Sequence, residues 1–188
     1  NLRSSLGWDT EMLTFLAVGS RRVDNMLDTL NIVNHFGKPI QLSKGVIQKA
    51  YRGIMSFMSG LKTYLEGKHT EFSASALYAG YMDMTYFALT PSCLKEKGLK
   101  IAVVFLHEEA CFEIWLAGAN RRIQAEQIAA LRSRDMRGYA LSEPAPGVDA
   151  IVSWRLDVEP DFDDPQNTME RIDSCVVRFI DDAVRFLG

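Results

Sequence analysis

From Ser43 to Leu65, apolar residues recur at helical spacing: Val46, Ile47, Ala50, Tyr51, Ile54, Met55, Met58, Leu61, Tyr64 and Leu65. That period gathers them on one face of a long amphipathic helix, with Ser43 as its N-cap. Gly53 and Gly60 each lower its intrinsic propensity by about 1 kcal/mol relative to alanine, but they permit a neighbour to approach closely. Upstream, Met12, Leu13, Phe15 and Leu16, then Val23, Met26, Leu27, Leu30 and Val33, have the spacing of two short amphipathic helices ending near His35. Phe36-Gly37-Lys38-Pro39 breaks that pattern, because Gly favours termination and Pro removes a backbone donor. The expected organisation is a helical N-terminal extension over residues 1–38 followed by a single α/β domain over residues 39–188.

Past the polar turn Glu66-Gly67-Lys68-His69, the pattern changes from helical to extended. A strand is predicted from about Leu77 to Leu89, closed by Pro91, with a helical turn from Ser92 to Lys97 stopped at Gly98. Ile101 to Leu106 is apolar at every position, as in a central strand covered on both faces. Cys111 to Ala117 alternates instead, with Phe112, Ile114 and Leu116 on one face and Cys111, Glu113 and Trp115 on the other. The short acidic turn between these two runs makes them a hairpin. A helix with Ile123, Gln127, Ile128 and Leu131 along one side starts near Asn120. Gly138, Pro144, Pro146 and Gly147 mark a long surface connection. A strand from about Ala150 to Val158 follows. The last helix has Asp164 as N-cap and Pro165 at its first position, and buries Met169, Ile172, Val176, Phe179, Ala183 and Leu187.

This order of elements predicts an α/β (α+β) sandwich: a mixed or mainly antiparallel sheet of about four to five strands packed with amphipathic helices. The length of 188 residues suits one such domain plus an extension. A hydrophobic fraction of 47% with 24% charged residues excludes disordered and fibrous classes. A formal charge of -3 gives no electrostatic case for nucleic acid as a partner. No apolar run approaches the ~20 residues needed to span a bilayer, so no membrane association is expected. Cys93, Cys111 and Cys175 are widely spaced and odd in number, which fits reduced thiols. With an N-terminus that lacks the secretory pattern, this points to a cytoplasmic location. His35, His69 and His107 have no second ligand at metal-binding spacing, so no metal is expected. Without Walker or dinucleotide glycine patterns, no cofactor is expected either.

The segments GVIQKAYRGIM, YAGYMDMTYFALTP, LKIAVVFLHEEACFEIWLAGANRRIQ and GVDAIVSWRLDVEPDF resemble a family of small bacterial proteins that carries a domain of unknown function. The resemblance spans roughly Leu42 to Leu187 and implies a bacterial cytosolic protein with one main domain. It brings no activity and no catalytic residues.

Candidate chemistry comes from the residues alone. Asn120-Arg121-Arg122 opens a helix directly after a strand, where cations oppose the macrodipole unless an anion is bound. Free N–H groups, two guanidiniums and the Gly118 hinge would hold a phosphate or carboxylate, with Asn120 and Gln124 orienting it. The alternative is that both arginines pair with carboxylates such as Glu113 or Glu126. Strand alternation would set Asp83 beside Tyr81, Thr85 and Phe87, a place for a perturbed carboxylate or a buried salt bridge. Glu113 with Trp115 could bring a second carboxylate to the same cleft, and His107 beside Glu108 and Glu109 could act as an acid.

Restriction-endonuclease-like nucleases offer a comparison, but they require a carboxylate and a lysine two positions apart where this chain has Glu113-Ile114-Trp115. The acidic loop Glu159, Asp161, Asp163 and Asp164 lacks the glycine and final glutamate of an EF-hand and reads as helix capping. The leading expectation is a non-enzymatic binding or sensing module for a small anionic ligand or a protein partner. Residues 1–36 are the expected interface for a partner or for self-association. The alternative is an enzyme acting on a phosphorylated or carboxylated metabolite, or a degenerate nuclease-like domain.

Overall fold

A computed structural model of the chain describes residues 44–188 apart from positions 81–82, 146, 159 and 162–163. The two N-terminal helices expected before His35, the break at 36–39 and the Ser43 cap lie outside the described residues, as does Tyr81.

The first described element, α1 (Lys44–Lys68), is the long amphipathic helix that the spacing predicts, with Ile54, Phe57, Met58, Leu61 and Leu65 buried. Strands β1 (Phe72–Ala74), β2 (Tyr78–Ala79) and β3 (Met84–Pro91) follow, then the single turn α2 (Ser92–Lys95). The hairpin β4 (Leu99–Leu106) and β5 (Cys111–Gly118) leads into α3 (Arg121–Leu131). The chain closes with β6 (Ala140–Leu141), β7 (Ala150–Arg155) and α4 (Pro165–Leu187). These strands form one sheet in the order β1-β3-β4-β5-β7-β6, with β2 also on β3, and every pairing is antiparallel.

The sheet has seven strands where four to five are expected. The surplus is β1, β2 and β6, of three, two and two residues, too short to carry a period-two signal. The strand expected from Leu77 to Leu89 is in fact a hairpin. Gly80 N–H donates to the Met84 carbonyl at 2.9 Å, and a Cβ at Gly80 would overlap that carbonyl and the Asp83 carboxylate. Only glycine permits so tight a turn, and β3 therefore starts at Met84. At the other end, β7 stops at Arg155 rather than Val158, although Leu156 N–H still reaches the Phe112 carbonyl at 3.0 Å.

The two faces of the sheet differ. Strand register sets Phe87 and Leu89 of β3, Ile101, Val103 and Phe105 of β4, and Phe112, Ile114 and Leu116 of β5 on an inner face. These residues share one core with α1, with Ile128 and Leu131 of α3, and with Ile172, Val176 and Phe179 of α4. A β-bulge between Leu116 and Ala117 adjusts the β5–β7 register, and Ile151 and Val152 are both in that core. The outer face carries Tyr86, Ala88, Ala102, Val104, Glu113, Trp115 and Ala117, none of which belongs to the helix-packed core.

A buried carboxylate ties the two long helices together. Asp173 of α4 is 4% exposed and accepts from Lys68 Nζ at 2.7 Å, with His69 Nε2 2.5 Å away on its other oxygen. Its hydrogen bond raises the Lys68 pKa to about 12. The burial of Asp173 is thereby matched by two partners supplied from the end of α1.

Candidate functional site

The start of α3 is built as the sequence suggests, but its polar groups are occupied. Gly118 lets the first turn fold back against β5, since a Cβ there would lie 2.9 Å from Gln124 N. The Asn120 side chain accepts from Ile123 N–H at 3.0 Å as N-cap. Arg121 donates to the Gln124 side-chain oxygen at 3.0 Å and to the Val148 carbonyl, and pairs with Asp149 at 3.0 Å. Arg122 pairs with Glu126 at 2.8 Å, one turn along. Gln124 is 4% exposed, and its amide donates to the Val148 and Ala150 carbonyls at 2.8 and 3.1 Å. This network fastens the loop before β7 to the helix, and an anion arriving there would displace existing partners.

The other candidate residues are spread over the molecule. Asp83 is an exposed turn residue rather than a strand residue; its carboxylate accepts from Met84 N–H at 2.7 Å. His107 lies at the inner-face end of β4, where its Nε2 is 2.9 Å from Thr85 Oγ1 and its ring meets Tyr51 edge-on. Burial lowers the His107 pKa, with the Asp83 charge opposing it, so the neutral ring is favoured. Glu113 and Trp115 share the outer face, and the indole N–H donates to the Glu113 carboxylate at 2.6 Å. Asp83 and Glu113 therefore stand in a turn and on a sheet face respectively, and Arg121 lies past the far end of β5. Cys111 is buried, which pushes its thiol up to about 11. Among the described residues no group of three His, Cys, Asp or Glu side chains could hold a metal ion.

A different set of side chains does converge. Between the turn after α3 and the last half of α4 lies a groove of about 470 Å³, lined by Arg137, Tyr139, Ser174, Val177, Arg178, Asp181, Asp182 and Arg185. A hollow of about 300 Å³ adjoins it and adds Arg134, Asp135 and Phe186. The floor is held firmly. Tyr139 is 8% exposed, sits edge-on to Phe179 and Trp154, and donates to Asp182 at 2.6 Å. Asp182 also accepts from Arg185 at 3.0 Å and has Arg178 Nε at 3.9 Å. Arg178 lies over the Trp154 ring, 5.2 Å from its centroid. Burial first, then the bond to Asp182, raises the Tyr139 pKa to about 12, so the phenol stays neutral.

The rim is different. Arg134 and Arg137 are exposed, and neither guanidinium has a hydrogen-bonding or ionic partner among the described residues. Arg137 sits in the left-handed region at φ 48°, followed by Gly138 at φ 89°, and its N–H is taken by the Asp135 carboxylate at 3.0 Å. That turn carries the Arg137 side chain into both hollows. Four arginines thus face three aspartates, and Asp182 is already paired with Arg185 and Arg178 and hydrogen-bonded by Tyr139. The arrangement suits binding of negative charge. Nothing in it activates a nucleophile, since Ser174 Oγ donates to the Glu170 carbonyl at 2.9 Å and Tyr139 is held protonated.

Sequence reasoning passed over this groove. Its signal was the run Arg132, Arg134, Arg137 closed by Gly138, together with Arg178 and Arg185 two turns apart on the last helix. No pattern in the sequence brings those two segments together.

Fold and groove define an antiparallel α+β domain with an arginine-lined surface cleft. The chain belongs to a family described as a domain of unknown function, DUF7000, which matches residues 32–187. That match begins ahead of Leu42, where the resemblance in the sequence starts. No curated protein and no solved structure matches the chain. No helix among the described residues is long and apolar enough to cross a membrane.

Proposed function

We propose that this domain is a binding module for a small anionic ligand, and that the ligand sits in the groove formed by Arg134, Arg137, Tyr139, Arg178 and Arg185. The observation that carries this reading is the pair of guanidiniums, Arg134 and Arg137, that have no partner among the described residues and stand on the rim of two adjoining hollows. A phosphate or carboxylate would take bidentate hydrogen bonds from them. Asp182 keeps Arg185 in place, and the apolar parts of Val177 and Phe186 form a wall for the rest of the ligand. The Asn120, Arg121, Arg122 and Gln124 cluster, the other anion-binding candidate, serves in this reading to lock the loop before β7.

The test is thermal unfolding of the wild type, of Arg134→Ala/Arg137→Ala and of Arg121→Ala/Arg122→Ala against inorganic phosphate, pyrophosphate, nucleotides and dicarboxylates. A ligand present at 100 times its Kd stabilises the folded state by about 2.7 kcal/mol. The expected result is a raised midpoint in the wild type and in the Arg121/Arg122 variant, and no rise in the Arg134/Arg137 variant. A rise that survives in the Arg134/Arg137 variant, or no rise in any protein, refutes the reading.

A further inference from the structure

The arginine-lined groove is not uniform along its length. From Ser174 through Val177 and Asp181 to Arg185, residues three or four positions apart stand in one row on α4. The smaller hollow takes Arg134, Arg137, Arg185 and Phe186, so it lies at the C-terminal end of that row. Ser174, Val177 and Asp181 line only the larger hollow, toward the middle of the helix. Their chemistry is the reverse of the arginine end. Asp181 is exposed, and its carboxylate has no hydrogen-bonding or ionic partner among the described residues. The Ser174 hydroxyl spends its proton on the Glu170 carbonyl at 2.9 Å, which leaves only its acceptor lone pairs to the groove. Arg178, the arginine confined to this half, lies over the Trp154 ring and beside Asp182.

We infer that the ligand is a phosphomonoester whose organic part carries hydroxyl groups, a sugar phosphate or a nucleotide, and that Asp181 selects it; the inference rests on the reading of this groove as an anion site. The phosphate belongs at the end where Arg134, Arg137 and Arg185 meet. Asp181 stands one turn from Arg185, about 6 Å along the axis, within reach of hydroxyls on the sugar that the phosphate esterifies. A carboxylate there accepts hydrogen bonds from hydroxyls and repels a second negative charge. Further along, Val177 is 37% exposed and offers an apolar surface for a ring, with the Ser174 acceptor beyond it. A ligand made only of anionic groups would satisfy the arginines and leave this half of the groove unmatched.

The test measures Kd by titration calorimetry for propyl phosphate, ribose 5-phosphate and adenosine 5′-monophosphate, with the full chain as wild type, Asp181→Ala and Arg134→Ala/Arg137→Ala. Asp181 is exposed on a helix, so its variant keeps the fold, which an unchanged unfolding midpoint verifies. Propyl phosphate has the same charged group but no hydroxyl. Removing a carboxylate beside it lowers repulsion, and its affinity should rise a few-fold in Asp181→Ala. The two hydroxyl-bearing esters lose a hydrogen bond to a charged acceptor, and their affinity should fall about tenfold. All three should lose binding in Arg134→Ala/Arg137→Ala. Equal affinity for the two hydroxyl-bearing esters identifies the source as a sugar phosphate, and a further gain with the nucleotide identifies a base seated on Val177; either supports the inferred class. Hydroxyl-bearing esters that bind Asp181→Ala as tightly as wild type, or more tightly, overturn this inference and leave the anion site standing. Failure of every ester to bind the wild type overturns both.

Discussion

At its N-terminus α3 carries Arg121 and Arg122; just past its C-terminus come Arg134 and Arg137. The helix macrodipole disfavours the first pair and favours cations at the other end. The fold answers the unfavourable placement with carboxylates, Asp149 for Arg121 and Glu126 for Arg122, and with the Val148 carbonyl and Gln124. At the far end no compensation is required, and two guanidiniums remain without partners among the described residues. An arginine pair that the fold must neutralise becomes part of the structure, whereas a pair that the fold tolerates is left available to a ligand. Charge at a helix terminus is thus a guide to function only after the neighbouring loops are known.

Several substitutions sharpen or break this contrast. Phe179→Ala removes the fully buried ring beneath Tyr139 and should cost about 3–5 kcal/mol in denaturant unfolding. It should abolish anion binding at temperatures where the variant is still folded, because the groove loses its floor. Tyr139→Phe deletes a hydrogen bond to a charged acceptor, a loss of about 1.5–3 kcal/mol. Its pH signature is more specific. The folded-state pKa of Tyr139 is raised to about 12 from an unfolded value near 10, so its contribution is complete below pH 10 and fades as pH climbs toward 12. Unfolding midpoints of wild type and Tyr139→Phe should therefore converge across that interval, and parallel curves would show that the phenol is not held as described.

Gln124→Leu removes the buried amide that donates to the Val148 and Ala150 carbonyls, of which Val148 keeps Arg121, and should cost about 1–3 kcal/mol while leaving ligand affinity unchanged. Loss of affinity in this variant would mean that the two ends of α3 are not independent. Arg122→Ala removes only an exposed pair one turn apart, and its effect on stability should stay within about 0.5 kcal/mol.

The parts of the fold readable in the sequence are those whose signal is local. Val46 to Leu65 repeat with a helical period, Phe112, Ile114 and Leu116 alternate, and Asp164-Pro165 begins α4 with Asp164 accepting from Asn167 N–H at 3.1 Å. Asn120 likewise caps α3. The turn at Gly80 was missed because the aromatic residues on either side of it read as one continuous strand. The Arg121 network was half visible: Glu126 is one turn from Arg122, but Val148 and Asp149 arrive from a loop 27 and 28 positions beyond Arg121. The groove was invisible, since it needs Arg137 and Tyr139 to meet Arg178 and Asp182 across the inner layer. Long-range convergence of surface side chains has no periodic trace.

The most direct test follows individual guanidiniums. Arginine Nε–H resonances of the full chain are recorded by nuclear magnetic resonance while pyrophosphate is added. The account predicts that Arg134 and Arg137 shift together and saturate, with Arg185 following and Arg121 and Arg122 unmoved. Saturating shifts at Arg121 and Arg122 with Arg134 and Arg137 unmoved would contradict it.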